Sequence, residues 1–335
     1  MKTRWLSTLL ALLLLSSCAL PAPAPAPAAP EPTADVVRAG EREVPGWQYR
    51  YWLGCARRNL EAVCETDGTP VDWSAPTQEG CTLEELAEQQ AREDVALYAT
   101  VDTWAESQNC TLTEEDHQIL DQLWQRRAAD AGGEDAYLRR LSEQGLTPEQ
   151  ARLLAETGQK YARLHALALE PESGFGPTTE ELQTYAEEEG LLTVNRYLAT
   201  GADREQARKR AADAFSRLNT AEDPVHVFSA LAAEGDDPAG VRSFRIGDGT
   251  LGPYLEENAR FLEIGQYSGI LESDEGFSIL LRMSPDRKFL VPRWLDHALQ
   301  EAASIVPVEV PETAVHAGKW KFNETKQDET ADFSS

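Results

Sequence analysis

Five cysteines and five histidines are the side chains of this 335-residue chain with the most versatile chemistry, and their spacing decides what they can do. His117, His165, His226, His297 and His316 are scattered, and no two cysteines stand at C-x-x-C spacing. The usual zinc-ligand pairings are therefore missing, and neither a metal nor a cofactor is expected. Cys55, Cys64, Cys81 and Cys110 are an even number, which suits two disulfides in an exported chain. If Thr82 to Ser107 is one straight helix, its ends lie about 39 Å apart, too far for Cys81 to bridge Cys110. Cys55 and Cys64 on a single helix fail for the same reason. A helical hairpin would bring Cys64 near Cys81 and leave Cys55 with Cys110; four free thiols remain the alternative in reducing surroundings.

Cys18 stands apart from these four. Lys2 and Arg4 precede an apolar run from Trp5 to Leu15, followed by Ser16, Ser17 and Cys18. This is a secretory signal with a lipobox, and at about 11 residues its apolar core is too short to span a membrane as a helix, which takes roughly 20. Residues 1–17 are expected to be removed and Cys18 to be acylated on its sulfur, anchoring the chain at the extracytoplasmic face of the cell membrane. Pro21 to Pro32 alternates proline with alanine, a composition that holds an extended spacer. Residues 18–43 read as the lipidated cysteine and its stalk.

The densest pattern lies between residues 191 and 283. Leu191 to Leu198 is a strand, and Asp203 to Leu218 a helix with Ala207, Ala211, Ala214, Phe215 and Leu218 on one face. A second helix starts near Pro224, where proline suits a first turn, and ends at Gly235. Val241 to Ile246 is a strand, Thr250 to Leu262 a helix, and Tyr267 to Leu271 and Phe277 to Met283 are strands. Glu272 to Gly276 turns the last pair as a hairpin.

This β-α-α-β-α-β-β order, with Gly265, Ser268, Ser273, Gly276, Phe277 and Ile279 in a G-x-x-S-x-x-x-x-S-x-x-G-[YF]-x-I pattern, resembles the parvulin-type peptidyl-prolyl isomerase domain. The resemblance covers about a quarter of the chain closely. It implies catalytic positions at Arg196, at Ser278 and at Asp237, with Asp236 as the neighbouring choice, and substrate-binding positions at Phe244, Leu251, Leu255 and Phe277. Both histidines usual in the family are replaced, by Arg196 and Ser278. Rotation about an X-Pro bond crosses a barrier of roughly 18–20 kcal/mol without making or breaking a bond. A catalyst need only favour the twisted imide, through an apolar grip and one or two placed donors. Arginine and serine both donate, but arginine adds a fixed charge and a longer reach. Weakened or absent isomerase activity with peptide binding retained follows from the resemblance; a holdase or peptide-binding module that keeps the fold as a scaffold is the alternative.

Upstream, Trp47 to Val63, Thr82 to Ser107, Glu114 to Ala129, Glu134 to Glu143, Pro148 to Leu169 and Thr179 to Gly190 read as helices. Thr82 with Glu85 and Thr113 with Asp116 form capping boxes. The words at Leu112 to Asp116, Tyr137 to Gln150 and Pro177 to Tyr185 are similar to the helical domain of PrsA- and SurA-type foldases. The fold class expected is α+β: a helical chaperone-like domain over 44–189, a parvulin-like domain over 190–285, a helix within 286–306 (Pro292 to Ser304) returning to the helical domain, and a tail over 307–335. That tail has one apolar cluster, Trp320 and Phe322, and Asn323 to Ser335 is expected to be disordered.

A formal net charge of −26 makes nucleic acid a poor partner and favours solubility. The partners implied by the resemblance are unfolded or proline-containing exported polypeptides, and basic clients would suit the charge. Gly247 to Gly252 matches G-x-G-x-x-G, but the helix after it is short, Pro253 lies near its start and no second βαβ unit follows, so dinucleotide binding is rejected.

Overall fold

The computed structural model describes residues 36–64, 71–78, 80–237 and 239–316. Cys18, the signal, the Pro/Ala run, Trp320, Phe322 and Asn323 to Ser335 lie outside the described residues. The architecture mixes helices with two small antiparallel sheets. The chain divides into two compact units, residues 1–164 with 299–335, and residues 165–298.

In the first unit, β1 (Val36–Ala39) and β2 (Arg42–Pro45) form a hairpin, and β7 (Val308–Glu309) joins the free edge of β1. The stalk expected over 18–43 therefore stops short of Val36, and the tail expected from 307 is ordered at its start, where α11 (Glu312–His316) buries Ala314. Alternation explains β1, because Val37 and Ala39 point into the core while their neighbours face solvent. The helices are α1 (Gly46–Cys64), α2 (Leu83–Ser107), α3 (Glu114–Asp130), α4 (Glu134–Glu143) and α5 (Pro148–Leu169). α1 and α2 pack as a hairpin, Tyr49, Leu53 and Ala56 meeting Ala87, Ala91, Val95 and Ala99 at four-residue spacing. Both capping boxes form, Thr82 with Glu85 and Thr113 with Asp116.

No disulfide joins the four described cysteines, so neither expected bridge forms. Cys55 lies against Arg58, whose Nη2 reaches its Sγ at 3.1 Å, and feels Asp94 of α2. Cys110 follows the end of α2 at Ser107, which lies thirteen residues beyond Asp94, or about 20 Å along the helix. The Thr77 hydroxyl and the Cys81 sulfur are 3.3 Å apart.

The second unit holds α6 (Thr179–Glu188), β3 (Leu191–Ala199), α7 (Arg204–Thr220), α8 (Pro224–Glu234), β4 (Val241–Arg245), α9 (Pro253–Arg260), β5 (Leu271–Ser273) and β6 (Gly276–Arg282), and α10 (Arg287–Ser304) begins in it. The element order is the one expected, and the sheet runs β4-β3-β6-β5, antiparallel throughout. Three starts differ by three residues or more. Tyr267 makes only an isolated bridge to Leu281, so the strand expected over 267–271 begins at Leu271. The helix expected from Thr250 starts at Pro253, because Gly252 at φ +80° holds a turn before it. The helix expected from Pro292 starts at Arg287, Asp286 accepting from the Lys288 and Leu290 amides, and contains Pro292.

β3 is buried along its whole length, and its period-2 alternation splits the core into two. Tyr197 and Ala199, with Phe277, Ile279 and Leu281 of β6, pack against the alanine stripe of α7 and against Phe228 and Leu231 of α8. Leu192, Val194, Phe244 and Leu280 pack on the other face against Leu251, Leu255 and Ala259.

Candidate functional site

The register of β3 on β6 sets Leu198 opposite Ser278 and Arg196 opposite Leu280, so Arg196 and Ser278 share a face as diagonal neighbours. The Arg196 Nε donates to Ser278 Oγ at 3.1 Å, with the two residues 3% and 0% exposed. Asp237 joins them from the segment after α8. That segment is tied to β3 by the Asp236 amide on the Leu198 carbonyl and the Arg196 amide on the Gly240 carbonyl, at 2.7 and 2.9 Å. Asp237 Oδ2 lies 3.7 Å from Arg196 Nη1, while Oδ1 accepts from Arg242 Nη2 at 2.7 Å and from the Ala239 amide at 3.2 Å. Arg196 Nη2 donates to Glu275 in the β5–β6 turn.

The three residues expected to be catalytic thus meet in one buried network. Asp236, the neighbouring choice, serves elsewhere: its carboxylate accepts from the Thr200 amide and hydroxyl and from Arg210. The Thr200 amide and the Arg210 ion pair hold it below the usual carboxylate range against the opposing effect of burial.

The expected substrate-binding residues divide. Phe244, Leu251 and Leu255 lie on the same face as Arg196, packed together in the core at 1%, 7% and 2% exposure. They are walls of the core and not an open groove. Phe277 is on the opposite face, because it neighbours Ser278 along the strand; it packs against α7 and α8, and the Arg204 guanidinium covers its ring at 5.2 Å. The fold therefore sets Phe277 apart from the other three residues expected to bind substrate.

Three further residues shape the region. Glu256, 1% exposed, accepts from the Gly247 amide at 2.7 Å and the Leu251 amide at 3.1 Å. The G-x-G-x-x-G loop thus spends amides on an internal carboxylate, which removes the cradle a phosphate would need. Gly276, at φ +145°, lets β6 approach β3: an added Cβ would lie 2.3 Å from the Ala199 carbonyl oxygen. Arg282 is buried at the far end of the same face, its Nε and Nη1 without hydrogen-bond partners. Burial holds its guanidinium below its ordinary value, partly offset by Glu187. Glu256 and Arg282 read in the sequence as ordinary charges on a helix and a strand, whereas the acid at 275 was legible only as part of a turn.

Chemically the network presents a buried cation between two carboxylates and a hydroxyl. A guanidinium donates hydrogen bonds and accepts none, so Arg196 offers fixed charge rather than the two-way proton traffic of an imidazole. Three of its nitrogens already face Ser278, Glu275 and Asp237. Among the described residues, no group of three His, Cys, Asp or Glu side chains could hold a metal ion. No helix of those residues is long and apolar enough to cross a membrane.

No protein-family model and no curated protein matches the sequence. Among solved structures, the chain is similar to PrsA and to SurA-like chaperones. PrsA from Bacillus subtilis is 17% identical, over 69% of this chain and 89% of that one, with a TM-score of 0.27. A peptidylprolyl isomerase, PrsA, from Bacillus cereus is 18% identical over 74% and 96%, with a TM-score of 0.25. A SurA-like chaperone from Campylobacter jejuni is 10% identical over 84% and 100%, with a TM-score of 0.22.

Proposed function

We propose that this chain is an extracytoplasmic foldase of the parvulin type whose isomerase site has degenerated, and that it binds unfolded, proline-containing exported polypeptides. One observation carries the reading. Arg196, Ser278 and Asp237, singled out at three separated points of the sequence, converge on one sheet face beside Phe244, Leu251 and Leu255. The lipobox at Cys18 supports anchoring at the cell membrane, and the net charge of −26 argues against nucleic acid as a partner.

A second reading, a holdase without turnover, is favoured by the engagement of Arg196. A donor to the twisted imide must be free as charge shifts, and here it must first leave a carboxylate. Proline-limited refolding of a model substrate, run beside an aggregation assay, separates the two. The foldase reading expects slight acceleration, increased in the Arg196→His, Ser278→His double variant. Suppressed aggregation with no acceleration by either protein would leave the holdase. Labelling with radioactive palmitate, lost on Cys18→Ala, tests the anchor.

A further inference from the structure

Arg196 and Glu275 form an unequal pair. The arginine side chain is 4% exposed and the glutamate side chain 64%. Of the two carboxylates near the guanidinium, that of Asp237 is buried, stands 3.7 Å away and makes its short bond to Arg242. Asp237 Oδ2, the oxygen facing Arg196, has no hydrogen-bond partner. The close carboxylate therefore comes from a largely solvent-exposed side chain on a tight turn, between Ser273 at the end of β5 and Gly276 at the start of β6. An arginine this deep needs a counter-charge in contact, yet the group supplying it belongs to the class whose ion pairs contribute least to stability.

We propose that Arg196 recognises a carboxylate and that Glu275 is its built-in stopper, so that the peptide preferred here carries Asp or Glu beside its proline. This rests on the prolyl-peptide reading above. The incoming carboxylate replaces Glu275 on Nη2 while Ser278 and Asp237 hold the rest of the guanidinium in place. Charge balance is kept, since one carboxylate replaces another, and Glu275 passes into water, where most of its side chain already lies. A tethered competitor acts at high effective concentration. Wild-type discrimination between acidic and neutral peptides is accordingly small, and it is unmasked when the tether is cut. If Glu275 merely neutralises a leftover arginine, its removal lowers stability and leaves selectivity unchanged.

The test uses the full chain and end-capped peptides, so that a side chain supplies the only carboxylate: acetyl-Ala-Glu-Pro-Phe-amide and its Gln counterpart. Binding is followed by fluorescence anisotropy of labelled versions, and the Arg196 Nε resonance by NMR. The affinity ratio of Glu to Gln peptide should be about 3 for the wild type and rise roughly tenfold in Glu275→Ala, the scale of one charge-assisted hydrogen bond. In Arg196→Met the ratio should fall to about one; should that variant not fold, the Nε resonance must shift with the Glu peptide and stay still with the Gln peptide. Both peptides binding Glu275→Ala with the wild-type ratio overturns the inference while leaving the prolyl reading intact. Neither peptide binding any form defeats the prolyl reading. N-acetylglutamate amide titrated into Glu275→Ala then decides the carboxylate site, a moving Nε resonance supporting it and a still one overturning it.

Discussion

Each unit of this protein holds a cluster of buried or half-buried polar side chains, and the two clusters meet the cost of desolvation differently. In residues 165–298, every member of the Arg196 network faces an opposite charge or a hydrogen-bond partner, the two arginines 196 and 242 offsetting Asp237 and Glu275. In residues 1–164, Tyr51, Cys55, Asp94 and Tyr98 gather between α1 and α2, where desolvation pushes Asp94 from its ordinary 3.8 up to about 7, helped by the like charge of Glu93. Burial also raises the Cys55 thiol and the Tyr51 and Tyr98 phenols. One cluster keeps its charges by pairing them; the other sheds charge by holding protons. The first arrangement keeps an arginine paired with carboxylates inside the fold, and the second makes stability depend on pH.

Removing one partner from the paired cluster is the largest perturbation. Asp237→Ala leaves Arg196 and Arg242 short of a counter-ion and should cost about 3–5 kcal/mol of unfolding free energy, read by denaturant titration. A loss below about 1 kcal/mol would mean that water already solvates these arginines, and the contrast between the clusters would collapse.

Asp94 tests the other half. The unfolded carboxyl titrates near its ordinary value and the folded one near 7, so folding takes up a proton between these pH values. The contribution of Asp94 is therefore complete below about pH 4, and roughly 2–4 kcal/mol of it is lost as pH rises through 7. Asp94→Asn should flatten that slope and stabilise the unit at pH 8, as measured by amide hydrogen exchange within α2. A slope unchanged by the substitution would place the titration elsewhere.

Within the paired cluster, Ser278→Ala removes only the acceptor for Arg196 Nε, and a loss of about 2 kcal/mol is expected, the scale of a hydrogen bond to a charged group. Because Glu275 and Asp237 still hold the guanidinium, this variant should unfold two-state with an unchanged denaturant slope.

How much of this could be read beforehand follows from the range of the forces involved. The capping boxes at Thr82 and Thr113 and the alanine stripe of α7 are written in neighbouring residues, and so is the strand-helix order from 191 to 283; all appear as expected. The meeting of Arg196 with Ser278 and Asp237 was legible through a family pattern that places distant residues together. Period-2 alternation alone puts Phe277 on the face opposite Ser278, away from Leu251 and Leu255, although the family pattern groups them. The β1–β2–β7 sheet escaped because its strands hold only two to four residues and β7 pairs with a strand far from it in the sequence. Glu256 and Glu275 look like solvated acids in sequence; only the fold brings amides to one and a buried arginine to the other.

Asp116 supplies the smallest effect and the cleanest contrast of sign. It lies in the same unit as Asp94 and is buried, yet its pKa moves the other way. Desolvation pushes its carboxyl up, but the Thr113 amide and hydroxyl, Gln159 and Arg163 outweigh that and hold it at about 2. A lowered pKa contributes stability that is complete above the ordinary value near 4 and lost as pH falls toward 2. After allowance for solvent screening, about 1–2 kcal/mol should disappear over that range. The first unit should therefore show a stability maximum near pH 4, flanked by an acid limb from Asp116 and a neutral limb from Asp94. Asp116→Asn removes the acid limb alone and Asp94→Asn the neutral limb alone. If either substitution alters both limbs, the two carboxyls are coupled through α2, α3 and α5, and their opposite shifts cannot be assigned to separate surroundings.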